Sequence, residues 1–184
     1  LRMISLSGLS RTENKKAFQA ITKLLQNENT DTDEAQQALG TLLSSEHKEI
    51  IPGLIEALHY QSLLDALPHI ISKLSSFKDD SILPLYNVLI GEHDFLRMIA
   101  SKALEEIGES ARSYLEEARD KDSGLIHLAA MLALGGLDGD RDTALKVVLF
   151  NNMITPDARV TALSFLQHET NPERVAILLD ALNI

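Results

Sequence analysis

Asp138, Asp140 and Asp142 alternate with single residues, the spacing at which the opening of an EF-hand loop presents carboxylates to calcium. The position that must hold glycine is Thr143, however, and the twelfth is Leu149 rather than a bidentate glutamate. An acidic turn capping the following helix is therefore the expected role. His168-Glu169 sets an imidazole beside a carboxylate, two groups that ligate transition metals. Glu46-His47 and Glu92-His93 run in the reverse order near helix starts, and the six histidines are scattered, so no metal is expected. Asp94 and Arg97 are spaced to pair along a helix. They read as a structural bridge from a turn to the neighbouring helix rather than as a reactive site. The chain shows no Gly-rich phosphate loop, no Ser/His/Asp spacing and no nucleophile elbow. It has no cysteine, which excludes a thiolate nucleophile, a disulfide framework and a Cys-based zinc site. The expectation is a chain without catalytic residues or cofactors.

Composition narrows the class further. The formal net charge is −10, from 17 Lys and Arg against 27 Asp and Glu, with no basic run. A phosphate backbone is repelled by such a balance, so no nucleic-acid partner is expected. No apolar stretch reaches the length of a bilayer span, and the opening Leu1–Leu6 is too short for a signal peptide. A soluble, cytoplasmic protein without membrane insertion is the reading. Because the chain also begins without Met, it is expected to be a fragment of something longer. Hydrophobic residues make up 45% but aromatics only 4%, so the core must be built from Leu, Ile, Val and Ala. That composition suits close-packed helices.

Two independent registers set the positions of those helices. One is an apolar pair three residues apart, led by Leu6, Leu39, Ile71, Leu104, Leu134 and Leu163 at intervals of 33, 32, 33, 30 and 29. The other runs through Leu25, Leu58, Leu89, Ala118, Leu149 and Leu182 at intervals of 33, 31, 29, 31 and 33. A period near thirty marks stacked supersecondary units, none of which buries its apolar face alone. Caps are expected at Thr12, Thr32 or Asp33, Ser62, Asp94 and Ser123, and before Pro156 and Pro172. Gly135-Gly136 reads as a helix stop. The organisation expected over residues 1–184 is one array: a half-unit near 2–9, five helix pairs over about 13–168, and a lone helix from about 172.

The stretch Leu96-Arg97-Met98-Ile99-Ala100-Ser101-Lys102-Ala103-Leu104, following Asp94, resembles the second helix of a HEAT repeat, in its short bacterial PBS-lyase-type form. Ile126–Gly135 is similar, with His127 where that family prefers Arg, and Pro52 and Pro84 sit in first helices, where the family often has a bend. Leu67 and Ile70 depart from the family's usual alanines. The fifth unit fits two registers, leaving Phe165 open between core and groove. The resemblance covers most of the chain and implies an all-α superhelix, a solenoid of about five to six two-helix repeats. It also brings in HEAT-type di-iron hydroxylases, which need several facing His-Glu pairs where this chain has His168-Glu169 alone.

If the apolar pairs face the core, the opposite side of each second helix forms the concave surface. That surface is expected to carry Gln36, Gln37 and Thr41, then His69, Ser72 and Lys73, then Ser101, Lys102, Glu105 and Glu106. Met131, Leu132 and Gly136 follow, and finally Val160, Thr161 and Ser164. Lys73, Lys102, Glu106, Met131, Leu132, Val160 and Thr161 are the candidate partner-binding residues, with Asp94 and Arg97 as a structural ladder. A groove passing from polar to apolar suits a protein or peptide partner. A lysine-flanked stretch favours an extended acidic peptide, and an apolar one a partner helix. The leading expectation is a non-enzymatic interaction or scaffolding module. A bilin lyase-type role, implied by the resemblance, needs propionate anchors, for which Arg97, Lys102 and His127 are the candidates. A structural or regulatory arm of a membrane or signalling protein is the third reading. The incomplete helix pairs at both ends predict either end-to-end self-association or frayed termini.

Overall fold

The structure, a computed structural model, describes residues 15–140 apart from 28, 122 and 123, together with 143, 144, 146, 147 and 150. The described residues fold into eight α-helices joined by turns and three short 3-10 segments, and among them there is no strand. In order they are α1 (Lys15–Leu25), α2 (Thr32–Leu43), α3 (Ile51–Ala57), α4 (Leu67–Ser76), α5 (Asp79–Leu89), α6 (Asp94–Ile107), α7 (Arg112–Lys121) and α8 (Leu125–Asp138). The all-helical class read from the sequence is therefore found. The chain divides into two compact units, Leu1–Pro84 and Leu85–Ile184.

The leading residues of the first register and the members of the second lie in the core wherever they are described. Leu39, Ile71, Leu104 and Leu134 are buried, and so are Leu25, Leu58, Leu89 and Ala118 of the second series. Of the pair partners, Leu42 and Leu74 are fully buried, whereas Ile107 and Leu137 are half-buried. In the first unit α1 packs on α2 and α3, and α2 packs on α3 and α4. In the second, α8 packs on both α6 and α7. In the first unit α1 and α2 thus each meet the next helix and the one after it, and in the second α8 meets the two helices before it. This pattern follows when a helix carries two apolar stripes. The α8 sequence shows this most plainly, because Ala129, Ala130 and Ala133 join Leu128, Leu132 and Leu134 in the core.

Several side-chain ties span about one sequence period. Gln26 Nε2 donates to Glu56 Oε1 at 2.8 Å across 30 residues, and Lys48 Nζ to Asp80 Oδ1 at 2.9 Å across 32. The Tyr60 hydroxyl donates to the Leu25 carbonyl at 2.7 Å, and the Tyr86 hydroxyl to Glu117 Oε1 at 3.0 Å across 31 residues. The exposed pairs among them add little stability.

Helix boundaries differ from the sequence reading in four places. Asp31, not Thr32 or Asp33, caps α2, because its carboxylate accepts from the Glu34 amide at 2.8 Å. Ser62 lies inside the 3-10 segment Gln61–Ala66 instead of capping a helix. Asp94 is the first residue of α6 rather than its cap, which leaves its carboxylate to Arg97. Gly135-Gly136 does not end α8, which continues to Asp138 and turns at Gly139, where φ is 75°. Only glycine adopts that left-handed conformation at no steric cost. Pro52 opens α3 at its first turn, and Pro84 stands inside α5. The expected caps at Thr12 and Ser123, and those before Pro156 and Pro172, lie outside the described residues.

Candidate functional site

In the first unit, α2 and α4 run side by side, and their exposed flanks bound an open depression of about 340 Å³. Its walls are Leu43, Glu46, His69, Ser72, Lys73 and Ser76. The helix-face reading placed His69, Ser72 and Lys73 on this surface. It missed Glu46, which lies in the non-helical loop after α2, where helical periodicity carries no information. Lys73 Nζ donates to Glu46 Oε1 at 2.7 Å and stands 5.8 Å from the centre of the Phe77 ring. The two charges are unequally displayed, since the Lys73 side chain is 13% exposed and that of Glu46 86%. Gln36 on α2 is exposed, while Gln37 and Thr41 are half-buried.

The second unit places its expected surface residues differently. Glu106 is exposed, and Lys102 and Glu105 are partly covered and pair with each other at 3.3 Å. Ser101 is buried and donates to the Met98 carbonyl at 2.8 Å. Leu132 is 4% exposed and belongs to the core, while Met131 is half-buried. A wide apolar stripe on α8 explains this, because both of its flanks meet other helices. The apolar end of the groove expected here is thus reduced to part of Met131. Gly136 lies under Glu105, so close that a Cβ there would stand 2.8 Å from Glu105 Cγ. That contact, rather than helix termination, accounts for the glycine. Val160, Thr161 and Ser164 lie outside the described residues, as do His168, Glu169 and Phe165.

Arg97 is 6% exposed, and its guanidinium is enclosed by acceptors. Nε donates to the Leu89 carbonyl at 3.1 Å, Nη2 to the Gly91 carbonyl at 2.5 Å, and Nη1 to Asp94 Oδ1. Those carbonyls belong to the end of α5 and the turn after it, where the last helical C=O groups lack intrahelical donors. His127 occupies the corresponding place thirty residues later, with Nδ1 2.8 Å from the Arg119 carbonyl of α7. A carbonyl only accepts, so Nδ1 carries the proton of that bond. Arg97, His127 and Lys102, the three candidate propionate anchors, are all engaged by groups of the chain itself.

Other charged residues of the second unit form pairs at its surface. Arg112 donates to Asp138 at 2.8 Å and to Glu109 at 2.7 Å, contacts that, in that order, raise its pKa. The first carboxylate of the EF-hand-like spacing is thereby occupied, and the Asp140 carbonyl accepts from the Ala144 amide at 3.3 Å, as an acidic turn before a helix would have it. Asp142 lies outside the described residues. Burial and the Glu117 carboxylate raise the Tyr86 phenol, while Lys121 and then Tyr86 hold Glu117 below its ordinary value. Among the described residues no three of His, Cys, Asp and Glu stand close enough to share a metal ion. Nor is any described helix long and apolar enough to cross a membrane. Compared with protein-family models, curated proteins and solved structures, the chain matches none of them.

Proposed function

We propose that this chain is a HEAT-like α-solenoid that binds another protein, without catalysing a reaction, through the exposed side of its second helices. The observation that carries the reading is the depression between α2 and α4, which opens on the face where periodicity alone had put His69, Ser72 and Lys73. Largely polar walls and an open form suit an extended segment of a partner better than a small molecule, which needs a concave site that encloses most of its surface. The solenoid reading draws on the shared burial of both registers, on the packing of α1 and α2 each against the next two helices, and on that of α8 against the two before it. Stacked helix pairs give a long surface built from one repeated position, a geometry suited to macromolecular partners.

Photocrosslinking tests the reading. A benzophenone amino acid replacing Ser72, which is exposed on α4, is expected to form a saturable adduct with a cellular protein. The same group replacing Ser113, exposed on α7, is expected to form none. Adducts of equal yield from both positions would show non-specific contact and sink the reading.

A further inference from the structure

We propose that the depression between α2 and α4 takes a cationic, extended segment of its protein partner, with a lysine or arginine of that segment on Glu46. The inference rests on the protein-binding reading above and assigns the partner's charge, opposite to what a lysine-flanked groove suggests. Lys73 is not on offer: it is 13% exposed, bonded to Glu46 at 2.7 Å, and its ammonium lies near the Phe77 ring. An acidic ligand has to displace a carboxylate tethered to the same chain, whose effective concentration is roughly millimolar for a short flexible connection. A cationic ligand displaces nothing. The Glu46 side chain is 86% exposed and Oε1 alone is bonded to Lys73, which leaves Oε2 for a second donor.

Neighbouring groups agree with that assignment. Apart from His69, the walls hold no exposed basic side chain, and Ser72 and Ser76 add hydroxyl acceptors to the rim. The long-range field has the same sign, since a net charge of −10 draws cationic segments in and repels acidic ones. The Lys73 chain and Leu43 supply apolar surface for the methylene stem of a partner's lysine or arginine.

Two synthetic octapeptides of the whole chain's prospective ligand class test this, one alternating serine with arginine and the other serine with glutamate, each titrated into the 184-residue protein and followed by backbone amide shifts. The arginine peptide is expected to move the amides of His69, Ser72 and Ser76, and to weaken as salt is raised. Glu46→Ala is expected to weaken it about two- to fivefold, the size of an exposed ion pair, and to strengthen the glutamate peptide by uncovering Lys73. Preference of the native protein for the glutamate peptide at the same amides would overturn the charge assignment while leaving the binding face intact. Arginine-peptide shifts that ignore Glu46→Ala would also overturn it. If neither peptide moves those amides and the Ser72 crosslink fails as well, the binding face itself is wrong.

Discussion

Nδ1 of His127 donates to the carbonyl oxygen of Arg119, eight residues earlier, at 2.8 Å, and Arg97 Nε reaches the carbonyl of Leu89 across the same eight residues. Arg97 and His127 each stand seven residues before a buried leucine of the first register, Leu104 and Leu134. The two side chains do one job, tying the start of a second helix to the end of the helix before it. They do it with unequal strength. Arg97 satisfies two carbonyls and a carboxylate, and His127 is seen on one carbonyl.

Removing Arg97 is therefore expected to cost far more than removing His127. Arg97→Ala leaves the Asp94 carboxylate and two carbonyls without their donor, a loss of about 3 kcal/mol or more. His127→Ala loses one ordinary hydrogen bond, about 1 kcal/mol. Urea unfolding measures both, and equal losses would show that the two positions are not ranked by their contacts.

Much of the core was legible in the sequence because burial repeats with the helix pairs. Leu39, Ile71, Leu104 and Leu134 could be found by spacing alone. Periodicity failed where contacts depend on partners distant in sequence. It put Leu132 on the surface because one helix gives no sign that its second flank is covered too. It read Gly136 as a stop because the Glu105 side chain above it belongs to another helix. In the depression, His69, Ser72 and Lys73 followed from helical phase, but Glu46 sits in a loop that has no phase. Without Glu46, the lysine was seen but not the more exposed carboxylate that pairs with it.

Core position and surface position should separate cleanly in the second unit. Leu104 is fully buried in α6, so Leu104→Ala is expected to cost about 2–5 kcal/mol through the lost apolar contact and the cavity left behind. Ser113 is exposed on α7, and Ser113→Ala should stay within about 0.5 kcal/mol. Lys102, although expected to be a surface residue, is 16% exposed and paired with Glu105, so Lys102→Ala should fall between them at about 1 kcal/mol. The order of the three unfolding midpoints checks the assignment.

Gly136 and Glu105 should behave as a coupled pair. A methyl group at Gly136 overlaps the Glu105 side chain, which is 9% exposed and has little room to move. Gly136→Ala is expected to cost about 1 kcal/mol by overpacking, despite the better helix propensity of alanine. In a Glu105→Ala background the overlap is gone, and the same change should stabilise by up to about 1 kcal/mol. A double-mutant cycle without coupling would show that the two residues do not touch.

The Tyr86–Glu117 tie predicts opposite responses at the two ends of the pH scale. Burial, and then the Glu117 carboxylate, hold the Tyr86 phenol above its ordinary value of 10.0, so the folded state favours the neutral phenol. Its contribution to stability is complete below the unfolded value and is lost as pH rises through the folded one. Glu117 is held low by Lys121, and then by Tyr86, so its contribution is present above the ordinary carboxylate value and is lost as pH falls through the lowered one. An ultraviolet absorbance titration should show a tyrosine midpoint above 10.0 that disappears in Tyr86→Phe and moves down in Glu117→Gln. A Tyr86 midpoint below that value would contradict the buried tie.

The central claim is that second helices present the binding face, and hydrogen exchange with a bound partner tests it most directly. The partner recovered by the Ser72 crosslink, added in excess to the native chain, is expected to slow amide exchange along α2 and α4 and the intervening Glu46 loop. Exchange in α1 and α3, the first helices of the same unit, is expected to stay within error of the free protein. Slowing confined to α1 and α3 would place the partner on the other side of the fold and contradict the account.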